Sequence, residues 1–377
     1  MTTPPTGGPG NGWSVPETGA GTSGWGPPPG VDPAGAPGGG PDGHPGRPAQ
    51  GWGQMAGAAQ QPYGSVLTRR GIIALKPLGF GDFFDGGFRA IRHNPRAMIG
   101  LSALVLAVTN ILVALPLVGV FSTSAFTDPT AELTDDQALA VGGSLLALVP
   151  TGFLQSIAII VLTGILILSV TQSVVDRRLT VGQLWRRARG RVWPLIGWSL
   201  LQSVGGSLLI ATALAPGIVL LVLEEFVGGA VALVVLGVAG VVLAIWLYIV
   251  LTFVPVLIVV ERLGIVASVK RSYGLVKGAF WRTLLVLFLT AIVTSVVSQL
   301  LATPFAIAGS AGLVLLESNP VLAGAIYAGA VSLGTTVGLV LAIPFLAAVI
   351  ALLYVDRRIR LEGLDVALAR TLEDEQA

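Results

Sequence analysis

Residues 228–254 read GGAVALVVLGVAGVVLAIWLYIVLTFV and contain no charged side chain. About 20 consecutive apolar residues in a helix are enough to cross the hydrocarbon core of a bilayer. The whole chain has the same bias, since 53% of its residues are hydrophobic and only 11% are charged. A soluble domain carries about 25% charged residues. Most of the surface therefore cannot face water, and an integral membrane protein is predicted.

The apolar runs on both sides of this stretch predict five more spans, which makes an all-α membrane protein with six transmembrane helices. One run, 138–174, would extend roughly 55 Å as a helix, well beyond a hydrocarbon core of about 30 Å. We therefore expect a break at Pro150, with 138–149 as an interfacial helix, and a kink at Pro255 in the long fourth run. The predicted spans are 97–120, 150–174, 194–222, 228–254, 283–308 and 325–353.

The charges are divided between the two sides of these spans. All 22 Lys and Arg residues precede span one, lie between spans two and three or four and five, or follow span six. Because cytoplasmic loops carry the excess of Lys and Arg, both termini are predicted to be cytoplasmic, in a bacterial plasma membrane. The three loops on the other side carry only acids: Asp128, Glu132, Asp135, Asp136, Glu224, Glu225 and Glu317.

The N-terminal region differs from the rest, because half of residues 1–64 are Pro or Gly. Such a composition cannot bury enough apolar surface to offset its conformational entropy. We expect 1–74 to be a disordered cytoplasmic tail, 75–360 the membrane domain and 361–377 a short cytoplasmic tail. The tail lacks the apolar segment of a signal peptide. It is either a simple flexible extension or a Pro-rich ligand for a cytoplasmic protein.

Each even-numbered span ends in a similar way, at Val175-Asp176-Arg177, Val260-Glu261-Arg262 and Val355-Asp356-Arg357. An amphipathic stretch precedes each odd-numbered span. The sequence thus predicts three repeats, each an interfacial amphipathic helix followed by a two-span hairpin. The apolar faces predicted for these helices are Phe80, Phe84, Phe88 and Ile91 in the first, Val181, Leu184, Trp185 and Val192 in the second, and Ile265, Val269, Tyr273, Val276 and Phe280 in the third.

Interfacial helices of this kind place basic residues against lipid phosphates. Two interpretations remain open: the helices contact anionic lipid, or they are elbows that satisfy the charge rule. The candidate anionic-lipid contacts are Arg89, Arg92, Arg96, Arg186, Arg187, Arg189, Lys270, Lys277 and Arg282.

Two segments carry a family resemblance. The stretch 271–282, RSYGLVKGAFWR, resembles the six-span membrane domain found beside some glycerophosphoryl diester phosphodiesterases. The segment 75–101, with Lys76-Pro77-Leu78 and Asn94-Pro95-Arg96, is similar to an actinobacterial branch that also begins with a Pro/Gly-rich tail. The resemblance implies a six-span architecture over about 75–360. It brings no established activity, and we expect no phosphodiesterase domain in this chain.

The residues give little support for catalysis. Without cysteine, the chain has no thiolate nucleophile or ligand, and the spacing of its two histidines predicts no metal site. We interpret His93 as a structural interface residue. The sequence also lacks a Gly-rich phosphate loop. We expect no catalytic residue, no cofactor, no metal and no nucleic-acid partner, and therefore no enzyme.

Transport is the main alternative to a scaffold. The predicted spans contain no ionisable residue, whereas ion-coupled carriers usually retain some. Their amides are expected to hydrogen-bond between helices, and Ala330, Gly334 and Gly338 to form a close packing face. A membrane scaffold or accessory protein that contacts anionic lipid is the leading hypothesis, and a passive transporter or channel for a small or lipidic solute is the alternative. The amide residues of the spans, which are expected to hydrogen-bond between helices, are Asn110, Gln155, Gln172, Gln202 and Gln299.

Overall fold

The computed structural model describes residues 78–122, 134–174, 176, 178–316 and 318–362. These residues form helices and connecting turns without a strand, and six helical segments are long and apolar enough to cross a membrane. The predicted all-α membrane fold is therefore confirmed. The predicted tail, 1–74, and the end of the chain from 363 lie outside the described residues, as do Asp128, Glu132 and Glu317.

The helices follow the predicted repeat, an interfacial helix and then a hairpin, three times. The first repeat is α1 (Phe80–His93), a π-helical turn (Arg96–Gly100), α2 (Leu101–Phe121) and α3 (Asp135–Val174). The second is α4 (Val181–Ala188), a 3₁₀ turn (Arg189–Arg191), α5 (Val192–Val222), α6 (Phe226–Leu251) and the short α7 (Val254–Val259). The third is α8 (Ile265–Lys277), α9 (Phe280–Leu315) and α10 (Pro320–Glu362).

Two prolines were predicted to interrupt helices, and only one does. The expected break at Pro150 is wrong, because α3 runs through it for 40 residues. An internal proline removes a single backbone hydrogen bond, and the remaining bonds of so long a helix keep it continuous. At about 60 Å, α3 extends beyond a hydrocarbon core. The other prediction is confirmed: α6 stops at Leu251, and Pro255 lies in the first turn of α7, where proline is tolerated.

Helix α10 lies at the centre of the bundle. It packs chiefly on α9 and α2, and also on α3 and α1. Most of its apolar stretch is buried within the protein, whereas the most apolar stretch of α6 contains no buried residue. The hairpin α5–α6 thus stands at the side of the bundle and packs mostly on itself.

The close packing face predicted on α10 is confirmed. A Cβ added to Gly338 would lie 2.9 Å from the Cα and carbonyl oxygen of Ser298, and one added to Gly334 would lie 2.9 Å from the carbonyl oxygen of Ala302. Small residues allow helices in a membrane to approach closely, because helix association there depends on van der Waals contact. Further along, the side chain of Ala330 approaches Gly309 in the same way.

The interfacial helices form as predicted, but the faces they bury are only partly those expected. In α1, Phe83 is fully buried and Phe88 is 52% exposed. The reason is steric: a Cβ on Gly87 would lie 2.9 Å from the ring of Phe345, so the small residues of α1 face the bundle. Likewise α8 buries Ser272 and leaves Tyr273 47% exposed. Large side chains such as Phe88 and Tyr273 are thus left on the outside of the protein, where lipid can cover them.

The glycine packing between α9 and α10 leads to a test. Replacing Gly338 with Ala should destabilise the protein by about 1–3 kcal/mol, the usual cost of overpacking, since the atoms it meets are backbone atoms. The measurement is the thermal unfolding midpoint in detergent. Gly329→Ala on the same helix is the matched control, because its Cβ would meet nothing within 4 Å. An equal midpoint for the two variants would show that α9 and α10 do not pack as described.

Candidate functional site

One end of the bundle collects the charged side chains. It is the end at which α2, α5 and α9 begin and α3, α7 and α10 finish, and we call it the basic face. Three acids lie there at equivalent places in the three repeats: Asp176, Glu261 and Asp356. Each of them is bonded to an interfacial helix or to the residues beside one.

The carboxylate of Asp356 is completely buried. It accepts a hydrogen bond from the backbone N–H of Leu78 at 2.8 Å, and Nε of Arg360 lies 3.0 Å from both of its oxygens. Nη1 of Arg282 lies 3.2 Å from Oδ2. Both arginines also donate to the carbonyl oxygen of Leu78. This single carboxylate therefore joins the segment that leads into α1, the start of α9 and the end of α10.

The neighbouring Arg357 is also buried, and its Nε donates to the carbonyl oxygen of Leu275 at 2.8 Å. That carbonyl belongs to the last turn of α8, where carbonyls lack partners within the helix. The guanidinium thus attaches the end of α8 to the end of α10. It follows that α10 holds interfacial helices of two repeats.

Glu261 is the centre of a second cluster. Its Oε1 accepts a hydrogen bond from the hydroxyl of Tyr354 at 2.7 Å, and its Oε2 lies 3.3 Å from Nε of Arg271. Arg271 also pairs with Glu362, which in turn accepts from Nε of Arg358 at 2.8 Å. Burial lowers the pKa of the Arg271 guanidinium, but its hydrogen bonds and attraction to the two glutamates outweigh burial and raise that pKa above its ordinary value. Arg271 thus stays a cation and fixes α8 to α10.

Asp176 completes the set in a more exposed position. Its Oδ1 lies 3.1 Å from Nε2 of His93, and Nε of Arg178 lies 3.2 Å from the same nitrogen. The hydroxyl of Ser173 donates to the carbonyl of Ser169, so it accepts from Nδ1 of His93 at 3.2 Å. His93 therefore connects the end of α1 to the end of α3, which is the structural position that the sequence suggested for it.

The structure divides the nine predicted lipid contacts into two groups. Three are engaged: Arg282 with Asp356, Arg89 with Asp85 at 2.9 Å, and Arg187, which donates to Oε1 of Gln172 at 3.0 Å. The remaining six are exposed and make no ion pair with any residue that the structure describes: Arg92, Arg96, Arg186, Arg189, Lys270 and Lys277.

The predicted polar contacts between helices are confirmed at three of the five amides. Gln172 of α3 is one of them, because its Oε1 accepts the hydrogen bond from Arg187 of α4. Nε2 of Gln155 donates to Oδ1 of Asn110 at 3.3 Å, which links α3 to α2. Gln202 and Gln299 have exposed side chains without a hydrogen-bond partner within the described ranges.

A cleft of about 800 Å³ opens on the side of the bundle between α6, α9 and α10. We call it the lateral cleft. It was not predicted, because it depends on how far the α5–α6 hairpin stands from its neighbours. No charged residue is among those that line it, and its walls are mostly aliphatic and aromatic. They include Ile245, Tyr248, Phe288, Ser295, Gln299 and Ile343. Among the described residues, no group of His, Asp or Glu is arranged to hold a metal ion.

The six apolar helices and their charged end define a multi-pass membrane protein. The chain belongs to the family described as Domain of unknown function (DUF7847), whose model matches residues 81–332. The match begins in α1 and ends within α10. No curated protein and no solved structure matches the chain.

The buried acid of the basic face can be tested directly. Asp356→Asn keeps the size of the side chain but leaves Arg282 and Arg360 without their counter-ion. Breaking a fully buried pair costs about 3–5 kcal/mol, and we expect about 2–3 kcal/mol here because both arginines are partly exposed. The thermal unfolding midpoint in detergent should fall accordingly. Asp85→Asn, which removes an exposed pair on α1, should change stability by less than about 0.5 kcal/mol.

Proposed function

We propose that the protein is a non-enzymatic membrane scaffold or accessory protein whose basic face contacts anionic lipid headgroups. We further propose that it lies in a bacterial plasma membrane with both termini in the cytoplasm. The observation that carries the proposal is the division of the basic residues. One group is bound to acids and carbonyls of the protein, whereas the other is exposed and free of acidic partners in the described part of the chain.

Helix α4 shows this division most clearly. Its inner side is fixed, since Leu184 and Ala188 are buried. Its N-terminus is capped by Thr180, whose hydroxyl accepts a hydrogen bond from the backbone N–H of Gln183. In return, the side-chain oxygen of Gln183 accepts a hydrogen bond from the backbone N–H of Thr180. A capped and docked helix holds its outer side in a defined orientation. The arginines of the other side are therefore displayed by a fixed support.

The outer side of α4 has the chemistry of a headgroup site. Arg186 and Arg189 are exposed and unpaired within the described residues, and Arg187 is exposed beside them. Trp185 is 52% exposed and Trp193 79% exposed. Tryptophan is enriched at the membrane–water boundary, so the arginines lie near the depth of lipid phosphates. Each basic residue near an anionic leaflet contributes about 1 kcal/mol.

The relationship to the membrane domains found beside glycerophosphoryl diester phosphodiesterases is proposed on the stretch 271–282. In this structure that stretch supplies Arg271, the Leu275 carbonyl and Arg282, each of which bonds to an acid or an arginine of the basic face. The shared residues thus have an architectural use here. This supports a common fold and carries no activity with it.

Passive transport of a lipidic solute is the second candidate function, and the lateral cleft favours it. A cleft that opens sideways between helices is reached from the bilayer without passing the charged ends. Its uncharged walls suit an apolar solute better than an ion.

The lipid proposal predicts the effect of a triple replacement on α4. Changing Arg186, Arg187 and Arg189 to Gln removes three charges, about 3 kcal/mol of attraction at about 1 kcal/mol each, which corresponds to roughly 100-fold weaker binding. Native mass spectrometry of protein from matched membranes should then show less co-purified anionic lipid. The control is the triple replacement by Lys, which keeps the charge and should retain the lipid. Equal retention by the Gln variant would reduce α4 to an elbow between spans.

Orientation can be tested with single cysteines, because the chain has none of its own. Glu225 and Ser318 lie at the end opposite the basic face, and cysteines there should react with an impermeant thiol reagent in intact cells. Gly182 and Gly264 lie on the basic face, where an added side chain meets nothing within 4 Å. Cysteines at these two positions should react only after permeabilisation. The reverse pattern would place the basic face outside the cell.

A further inference from the structure

The lateral cleft results from uneven packing of the second hairpin. Helix α6 packs closely on α5 but only slightly on α9. Its buried residues are Gly229 near one end and Ile249 and Val250 near the other. The hairpin is therefore held against α9 and α10 only towards the basic face, and the space beyond remains open to the side. In a bilayer, this space is filled by something that is dissolved in the hydrocarbon.

The walls of the cleft carry four hydrogen-bonding side chains that the protein leaves unused. The hydroxyl of Ser298 is buried within the protein, whereas the other three side chains are exposed. Tyr248 of α6 and Ser295 and Gln299 of α9 all line the cleft, and none has a hydrogen-bond partner among the described residues. Their neighbour Thr294 is different, since its hydroxyl donates to the carbonyl of Thr290 at 2.8 Å. Local backbone bonding is thus available to side chains of α9, yet Ser295 does not use it.

Two of these polar groups, Ser295 and Gln299, lie deep in the membrane. Helix α9 has 36 residues, about 54 Å at 1.5 Å per residue, and Ser295 and Gln299 are in its middle. The middle of such a helix lies within a hydrocarbon core of about 30 Å. A polar group without a partner there is costly, because no water is at hand to bond to it. An occupant of the cleft that supplied hydrogen-bonding oxygen would remove this cost.

We propose that the lateral cleft binds a neutral long-chain lipophile with a hydrogen-bonding oxygen, such as a keto group, held in the interior of the bilayer. All three exposed side chains can donate to such an oxygen. The ligand is neutral because no charged residue lines the cleft, and a charge at this depth would lack a counter-ion. The volume of about 800 Å³ lies within the range of small-molecule sites, roughly 300–1,000 Å³.

The same chemistry argues against the other occupants. The acyl chain of a phospholipid can enter the cleft, but it offers no hydrogen bond, and its ester and phosphate groups stay near the surface. A second copy of the chain would have to place polar side chains opposite Tyr248, Ser295 and Gln299. Apart from these three, most of the exposed side chains of α6 and α9 are apolar, so a second copy offers few groups that meet that need.

The test is photocrosslinking in vesicles that contain the full chain. The probe is a long-chain ketone with its carbonyl in mid-chain and a diazirine beside it, and labelled peptides are located by mass spectrometry. We expect labelling of α6 and α9 at the cleft. The variant Tyr248→Phe, Ser295→Ala, Gln299→Leu should lower it by about tenfold or more, since it removes three hydrogen-bond donors from the cleft.

Two further variants separate binding from folding. Gln202→Leu removes an exposed amide from α5, outside the cleft, and should leave labelling unchanged. Ala291→Phe fills the cleft with a ring and should abolish labelling while the thermal unfolding midpoint stays that of the wild type. The comparison probe is phosphatidylglycerol with the same diazirine in one acyl chain, and it should label the cleft weakly.

Four results would overturn the proposal. The first is equal labelling of the wild type and the triple variant by the ketone. The second is equally strong labelling of the cleft by the phosphatidylglycerol probe, which would make an acyl chain the occupant. The third is a crosslink through the cleft between two copies of the chain. The fourth is the absence of any labelled residue in the cleft.

Discussion

The buried carboxylate of Asp356 is the constraint on which the rest of the structure depends. Placing a charge where water cannot reach it is unfavourable unless every lone pair finds a donor. Here the donors come from Leu78, Arg282 and Arg360, which lie far apart in the chain. Only one relative placement of α1, α9 and α10 brings these groups together. The carboxylate therefore specifies an arrangement that apolar packing in a membrane leaves loosely defined.

The equivalent acids of the other two repeats are less buried than Asp356 and hold fewer helices together. The packing of those repeats reflects this difference. Glu261 is partly buried and fixes α8 to α10, whereas Asp176 is exposed and pairs with His93. No comparable bond joins α6 to α9 along their apolar lengths within the described residues. The hairpin α5–α6 is thus anchored near the basic face and free to stand apart elsewhere. The lateral cleft is a consequence of that one-sided anchoring.

Charge on the basic face has two separate uses. The rule that predicts orientation counts Lys and Arg without regard to their partners. In the folded chain Arg282 and Arg357 stabilise the bundle, and Arg186 and Arg189 are left to meet the surroundings. A count of basic residues cannot separate these uses. The separation depends on which acid or carbonyl lies within a few ångströms after folding.

The sequence by itself determined the helical class, the six spans, the three repeats and the residues that gather at one end. These follow from hydropathy, charge and recurring Asp/Glu–Arg endings, which are local properties of the chain. It also indicated the small residues at Gly334 and Gly338, because tight helix contacts in a membrane require them. The candidate lipid contacts could be named from the same pattern, although the folded protein pairs Arg282 with the buried Asp356.

Only the tertiary structure decided which face of α1 is buried, whether Pro150 ends a helix, and where the lateral cleft lies. Phe83 is buried in place of Phe88 because Gly87 lets the ring of Phe345 approach, a contact between residues far apart in the chain. Gln299 became a cleft residue for the same kind of reason, since its surroundings are set by the distance between two hairpins. Periodicity describes one helix at a time, whereas burial depends on its neighbours.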